Sequence, residues 1–177
     1  MADVNFVSMS EEDPAEREGP VTEPLTIETT PEIVLIELLF FAYRDFVSDP
    51  DAVLSRYDFG RAHHRVVHFV NRNPGIRVAD LLDILKITKQ SLGRVLKELV
   101  DTGFIEQRPG PVDRRQRLLY PTRKGRAIAE RLIEPQARRI AAALDALDPE
   151  ERAGAERFLR QVVDPAERDK VARLTAR

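Results

Sequence analysis

Basic, hydroxyl and amide side chains between Thr88 and Arg117 have the chemistry of a surface that binds a polyanion. Each phosphate that a lysine or arginine neutralises releases condensed counterions, so these residues could hold a nucleic-acid backbone. Gln90 carries the paired donor and acceptor that suit adenine, and Arg94 or Lys89 suits guanine. The candidate residues form two sets: Thr88, Lys89, Gln90, Ser91, Arg94 and Lys97, and then Arg108, Asp113, Arg114, Arg115 and Arg117.

A helix and a hairpin must position these two sets. The pattern predicts a helix near residues 79–85, a tight turn at Lys86-Ile87, and a second helix that Thr88 caps and that ends at Thr102-Gly103. Strands over 104–108 and 116–120 flank the arginine-rich turn, and residues 76–78 can add a short strand. This order is typical of a winged helix-turn-helix, in which the second helix enters the major groove. A wing arginine, oriented by Asp113, could enter a narrow minor groove.

Each of these features also has a simpler interpretation. The polar helix face could be an ordinary solvated surface, and the arginine-rich turn could serve only solubility. Gly93 lies inside the second helix, where glycine costs about 1 kcal/mol relative to alanine. Its missing side chain would allow either a close approach of DNA or tight packing of helices. The helix and the hairpin together favour the nucleic-acid interpretation.

Further helices flank this region. Thr30-Pro31-Glu32 predicts the start of a helix whose first half, from Ile33 to Phe41, is apolar nearly all round. Such a helix must be buried on every side, either by a second subunit or as the central helix of a monomer. A loop through Asp49-Pro50 and Tyr57-Asp58 is predicted to lead to a helix near 59–72. A long helix that Pro135 should kink is predicted after Thr122, and a last helix from Asp148. The final dozen residues are charged and are expected to fray.

The histidines are not explained by nucleic-acid binding. His63, His64 and His68 all lie on the helix predicted near residues 59–72. His64 and His68 are separated by four residues and share a face, a spacing compatible with a metal or haem iron. The alternative is that these residues pack beneath neighbouring helices or bond to the backbone. The sequence therefore predicts no certain cofactor, with a metal, haem or pH-sensing site at His64 and His68 left open.

Charge is distributed unevenly along the chain. The formal net charge is -2, yet residues 1–30 carry eight acids and one arginine, which leaves 27 basic and 22 acidic residues in 31–177. We expect an acidic disordered tail over 1–29, which could compete with DNA or simply solubilise the protein. Helices for dimerisation are expected over about 31–48 and 123–163, a DNA-binding lobe over about 58–122, and a charged tail over 164–177. Because cysteine is absent, disulfides and thiol sensing are excluded. No segment suits a membrane span, so we expect a cytoplasmic protein.

From about Glu32 to Val163 the chain resembles the MarR family of transcriptional regulators. The resemblance is carried by VADLLDILKITKQSLGRVLKELVDTGFIEQR, residues 78–108, and by residues 113–117 with the following 119–125. The family's wing reads Asp-x-Arg, a second acid, a strand and then Thr-x-x-Gly. Asp113, Arg115, Thr122 and Gly125 match this pattern, and Gln116 stands in place of the second acid.

The resemblance implies an obligate, roughly triangular homodimer held together by its N- and C-terminal helices. In that arrangement two winged lobes read a palindrome. Arg115 would enter the minor groove, and Lys89, Gln90, Ser91 and Arg94 would face the major groove. Many family members are repressors that a small ligand releases from DNA by binding between the dimerisation and DNA-binding regions. Members that sense peroxide through a cysteine are unsuitable comparisons for this chain.

The sequence thus predicts a mainly α protein with a small β-hairpin wing, a winged helix-turn-helix with N- and C-terminal dimerisation helices. Its predicted function is sequence-specific binding of double-stranded DNA as a homodimeric repressor under the control of a small ligand. A winged-helix module that binds protein, or a metal- or haem-responsive regulator, is the alternative. An enzyme is not expected, because the chain lacks a Gly-rich phosphate loop, a cysteine nucleophile and a Ser/His/acid set.

Overall fold

The computed structural model describes residues 29–176, in which eight α-helices and a three-stranded sheet form. The helices are α1 (Pro31–Ser48), α2 (Asp51–Leu54), α3 (Arg61–Arg72), α4 (Val78–Leu85), α5 (Lys89–Asp101), α6 (Arg123–Asp145), α7 (Pro149–Val162) and α8 (Arg168–Thr175). The strands are β1 (Ile76–Arg77), β2 (Ile105–Pro109) and β3 (Arg117–Pro121). The predicted fold class, mainly α with a β-hairpin wing, is confirmed. The predicted acidic tail lies outside the described residues, apart from Thr29.

The helix-turn-helix and hairpin form as the sequence predicted. Lys86 adopts the left-handed conformation that ends α4, and Thr88 accepts the backbone N–H of Ser91 at 3.1 Å to cap α5. The strands pair antiparallel in the order β1-β3-β2, with Leu119 opposite both Ile76 and Gln107. The wing is therefore the β2–β3 hairpin, and β1 joins it to the start of α4.

One continuous apolar core holds α3, α4, α5 and the sheet together. Leu92, Val95, Leu96 and Leu99 form the buried face of α5, as predicted, which leaves its opposite face to solvent. The first half of α6 closes the core with Ile128 and Leu132. The fully buried members also include Val66, Val67, Val70, Leu81, Phe104 and Leu119. The winged lobe therefore supports the position of α5 with its own packing.

A threonine and a glycine fix the start of α6 against the end of the helix-turn-helix. Thr122 donates its hydroxyl to the carbonyl of Gly103 at 2.7 Å and accepts the N–H of Gly125 at 3.0 Å. A Cβ at Gly125 would lie 1.9 Å from the carbonyl oxygen of Phe104. The Thr-x-x-Gly spacing is thus explained by a cap followed by a backbone approach that only glycine permits.

Two segments differ from expectation. The stretch between Asp49 and Asp58, expected as a loop, contains α2 and a 3-10 turn at Ser55–Tyr57. Leu54, buried to 1% exposure, anchors this segment. The charged end of the chain, expected to fray, instead forms α8, because Lys170 pairs with Asp83 on α4.

The described chain divides into two units at Leu39. In the first unit, the α1 residues Val34, Leu35, Ile36, Leu38 and Leu39 are between 42% and 57% exposed. In the second unit, Phe40, Phe41 and Tyr43 are between 56% and 70% exposed. Burial of this apolar helix by a second subunit stays a prediction. No helix within residues 29–176 is long and apolar enough to cross a membrane.

Candidate nucleic-acid interface

The exposed face of α5 presents the first predicted set of residues. Lys89, Gln90 and Arg94 are exposed, and neither cation forms an ion pair with a described residue. Thr88 and Ser91 are engaged by the cap, since the Thr88 hydroxyl donates to Ser91 Oγ at 3.0 Å while accepting the Ser91 N–H. The side chains that remain available for recognition are therefore Lys89, Gln90 and Arg94.

The wing presents the second set on a turn that the backbone closes twice. Gly110 donates its N–H to the carbonyl of Gln116, and Gln116 donates to the carbonyl of Asp113, both at 3.0 Å. Asp113 Oδ1 accepts the backbone N–H of Arg115 at 2.9 Å and so holds the backbone of the turn. The guanidinium groups of Arg114, Arg115 and Arg117 are left exposed and unpaired among the described residues.

Two predicted contacts are already engaged with acids. Lys97 pairs with Asp101 one turn further along α5, and this hydrogen bond raises the pKa of Lys97. Arg108 pairs with Glu106 at 2.8 Å, which raises its pKa, and its guanidinium stacks 5.1 Å from the ring centre of Tyr120. Because a phosphate would have to compete with these carboxylates, Lys97 and Arg108 should contribute less to binding than the unpaired cations.

A groove of about 870 Å³ lies between α5 and the wing. Its walls include Lys89 and Gly93 from α5 and Arg115 from the wing. A Cβ at Gly93 would meet nothing within 4 Å, so tight helix packing does not explain this glycine. The groove also includes Arg77 and Gln107, which the sequence interpretation did not select. The alternation of side chains along β2 could have indicated Gln107 from the sequence. Arg77 reaches the groove only because β1 pairs with β3, which the sequence does not show.

The structure separates the three histidines. His63 is buried; its Nδ1 accepts the N–H of Gly60 at 3.1 Å, so Nε2 carries the proton and donates to Glu98 on α5 at 2.7 Å. The His63 ring also stacks on Phe59 with centres 4.6 Å apart. His63 thus fastens α3 to α5 and does not join the other two. Glu98, which the sequence interpretation did not select, is its partner.

His64 and His68 line a separate cavity of about 390 Å³. Burial is the main cause of the lowered pKa of both imidazoles; His68 lowers that of His64 further, and Arg72 lowers that of His68. The remaining lining residues are Tyr43, Phe46, Val47, Arg61, Arg65, Phe69 and Gln136. No group of three His, Cys, Asp or Glu side chains that could hold a metal occurs within residues 29–176.

The helix-turn-helix, the wing and the basic groove between them define a winged helix-turn-helix protein. The MarR family profile matches residues 57–116. The HTH-type transcriptional regulator PetP of Rhodobacter capsulatus is 48% identical over 133 residues, which cover 75% of this chain and 80% of that protein. The chain belongs to the MarR family and is a DNA-binding transcriptional regulator, not an enzyme.

Solved structures share the fold. A mutant MarR from E. coli complexed with operator DNA is 25% identical, with a TM-score of 0.60, and the match covers 78% of this chain and 100% of that one. Streptococcus pneumoniae FabT, solved in complex with DNA, has a TM-score of 0.65 at 20% identity. That match covers 74% of this chain and 94% of the other.

Proposed function

We propose that this regulator binds a palindromic DNA operator as a homodimer, with α5 in the major groove and the wing in the adjacent minor groove. The observation that carries the proposal is the set of unpaired, exposed cations on α5 and the wing. Lys89, Arg115 and Arg117 line the groove between the two elements, and Arg94 and Arg114 are exposed on α5 and the wing beside it. Exposed cations without acid partners can exchange counterions for phosphates at little cost, which favours binding to a duplex.

Each site residue takes a role that its geometry supports. Lys89, Gln90 and Arg94 would contact base edges, because they point from the first turns of α5, where recognition helices read DNA. Thr88 and Ser91 hold the cap and could add a phosphate contact. Arg115 would enter the minor groove from the turn that Asp113 orients. The bare backbone at Gly93 allows DNA to approach α5 closely.

The second subunit would cover the apolar surface that the single chain exposes. On α7, Phe158, Leu159 and Val162 are between 44% and 58% exposed. The exposed residues of α1 form a second apolar surface. Contiguous apolar surface of this kind marks interfaces in soluble proteins. Repression as the outcome of binding is carried over from the family resemblance, as is a cytoplasmic location.

The cavity beside His64 and His68 is the site we propose for a small effector. Burial lowers the pKa of both imidazoles, which favours their neutral form, so the positive charge of the cavity comes from Arg65 and from Arg61, which also pairs with Asp51 at 3.3 Å. Phe46, Phe69 and other apolar side chains provide flat walls, which together with the arginines suit a small aromatic anion.

Arg65 also donates to the carbonyl of Leu85 at the end of α4, at 2.9 Å. An anion that attracts Arg65 would therefore loosen the helix-turn-helix at its turn. A metal or haem held by His64 and His68 is the weaker proposal, since no Cys, Asp or Glu side chain of the described residues lines the cavity.

The DNA-binding proposal is tested by Arg115→Ala with Arg138→Ala as the control. Arg138 is also an exposed arginine, but it lies on α6 and pairs with Glu134. Arg115→Ala should weaken operator binding about tenfold and reduce the slope of log K against log salt by about one. Dimer mass and melting temperature should stay the same, because the Arg115 side chain is exposed and forms no hydrogen bond or ion pair with a described residue. Equal affinity and slope for both variants would contradict the assignment of the wing.

Arg94→Ala separates base reading from phosphate binding on α5. A bidentate base contact contributes about 1–3 kcal/mol of discrimination, so its loss should relax the preference at one position of each half-site. An equal loss on every sequence would instead assign Arg94 to a phosphate.

A further inference from the structure

The last helix of the chain is held on the first helix of the helix-turn-helix by alternating charges. The Asp83 carboxylate on α4 accepts hydrogen bonds from Lys170 of α8 and from Lys86 of the turn, each at 2.8 Å. Lys86 also donates to Glu167 at 3.0 Å, and Glu167 pairs with Lys170. The four residues form a closed network in which each charge contacts two opposite charges. The pKa of Asp83 falls to about 2 through its hydrogen bonds with Lys170 and Lys86.

Apolar packing contributes less to this contact than charge does. Leu174 is only partly buried, and a cavity of about 450 Å³ separates the α8 surface from Pro74, Ile84 and their neighbours. No residue of α8 is buried. The position of α8 on α4 therefore depends on the charge network, whose strength falls with salt.

The bend between α7 and α8 is fixed as well. Arg168 donates to the carbonyl of Val163 at 3.1 Å and to that of Gln161 at 2.7 Å, both at the end of α7. Asp164 caps the intervening 3-10 turn by accepting the N–H of Ala166 at 2.8 Å. The direction of α8 is thus set relative to α7, and its side chains are set relative to α4.

We propose that residues 164–175 form a C-terminal strap that fixes the helix-turn-helix relative to α7 and so sets which half-site spacing the dimer accepts. The proposal rests on the proposed function, in which α7 belongs to the dimer interface. Lobe separation must match half-sites about one helical turn apart, so a lobe that is free to tilt would accept more than one spacing. Exposed ion pairs add little to global stability, so the strap acts on position more than on folding.

Charge reversal tests the strap in the full-length protein. Lys170→Glu leaves two acids of the network on the strap, and Asp83→Lys leaves two lysines of the network at the end of α4 and the turn after it, so each single change breaks the network. The double variant places both network lysines on the α4 side and both network acids on the strap, which restores attraction without changing net charge. Arg138→Glu, which reverses an exposed charge on α6, controls for the charge change.

The readouts are operator affinity, preference among operators whose half-sites are moved by one base pair, and dimer mass. In each single strap variant, the ratio of the affinities for the preferred and the shifted spacing should fall about tenfold, while the protein remains a dimer. The double variant should recover it, and Arg138→Glu should keep it. Asp83→Lys is the sharpest case, because added positive charge alone would tighten DNA binding without changing the preferred spacing. That outcome, or a double variant that fails to recover, would overturn the proposal.

Hydrogen exchange provides a readout that does not need DNA. Amides of Arg168–Thr175 should exchange about tenfold faster in Lys170→Glu than in wild type, and the double variant should return them to the wild-type rate. Unchanged exchange in Lys170→Glu would overturn the strap even if DNA binding is confirmed. A wild-type protein that selects no operator would instead overturn the proposed function and leave the exchange result to be judged separately.

Discussion

Replacing Gly125 by alanine tests how closely α6 must approach the end of the helix-turn-helix. The added Cβ would lie 1.9 Å from the Phe104 oxygen and 3.0 Å from the Phe104 carbonyl carbon. Ordinary contact between such atoms needs about 3.5 Å, so the backbones must separate by roughly 1.5 Å. This separation strains the Thr122 cap and the bond from Asn71 to the Gly125 carbonyl at 3.3 Å.

The expected cost follows from these contacts. Overpacking alone costs about 1–3 kcal/mol, and each weakened hydrogen bond adds about 1 kcal/mol. We therefore expect Gly125→Ala to lower the free energy of unfolding by about 3–5 kcal/mol. This is a large share of the roughly 5–15 kcal/mol that keeps a typical domain folded.

Urea unfolding followed by circular dichroism measures this change, at a fixed protein concentration because a dimer unfolds in a concentration-dependent way. Gly93→Ala is the matched control. Gly93 lies inside α5, away from the proposed dimer surfaces, and its added Cβ would meet nothing within 4 Å. The control should gain about 0.5–1 kcal/mol, since alanine is the better helix former. A Gly125→Ala protein within about 1 kcal/mol of wild type would refute the argument from backbone approach.

Two further predictions concern the reading face and the histidine cavity. Gly93→Ala should raise helix stability by up to about 1 kcal/mol, because the new methyl group meets open space. Operator affinity should fall, because the same methyl group keeps DNA away from α5. Unchanged affinity in a binding titration would exclude a close approach at Gly93. Stability should be constant above about pH 6.5 and decrease as the pH falls below it, because the unfolded chain protonates His64 and His68 before the folded one, whose pKa values are lowered. A His64→Gln/His68→Gln variant should lose this decrease in melts across pH, and stability that rises on acidification would contradict the sign.

Local signals in the sequence predicted the central part of the site. The Thr88 cap, the Lys86 turn and the hairpin each depend on a few neighbouring residues, so their positions could be predicted closely. The bond from Asp113 to the backbone N–H of Arg115 is also local, because the two residues are only two positions apart.

Contacts between distant residues could not be predicted in the same way. In the sequence, residues 164–177 have the composition of a polar tail. In the structure, Lys170 pairs with Asp83, which lies 87 positions earlier in the chain. The histidine group looked like one cluster because all three residues share a helix. Packing turns His63 towards Glu98 on α5 and leaves His64 and His68 facing the cavity. The pairing of Lys97 and Arg108 with acids also required the folded geometry, although the spacing of Lys97 and Asp101 in the sequence hinted at it.

Selection of DNA by the full-length protein from a random duplex pool, at physiological salt and with nonspecific competitor, is the most direct test of operator reading. We expect recovery of a palindrome with half-sites about one helical turn apart, and loss of this selection in a variant that combines Lys89→Ala with Arg94→Ala. Failure to enrich any sequence, while dimer mass and folding are intact, would contradict the claim that the basic groove between α5 and the wing reads an operator.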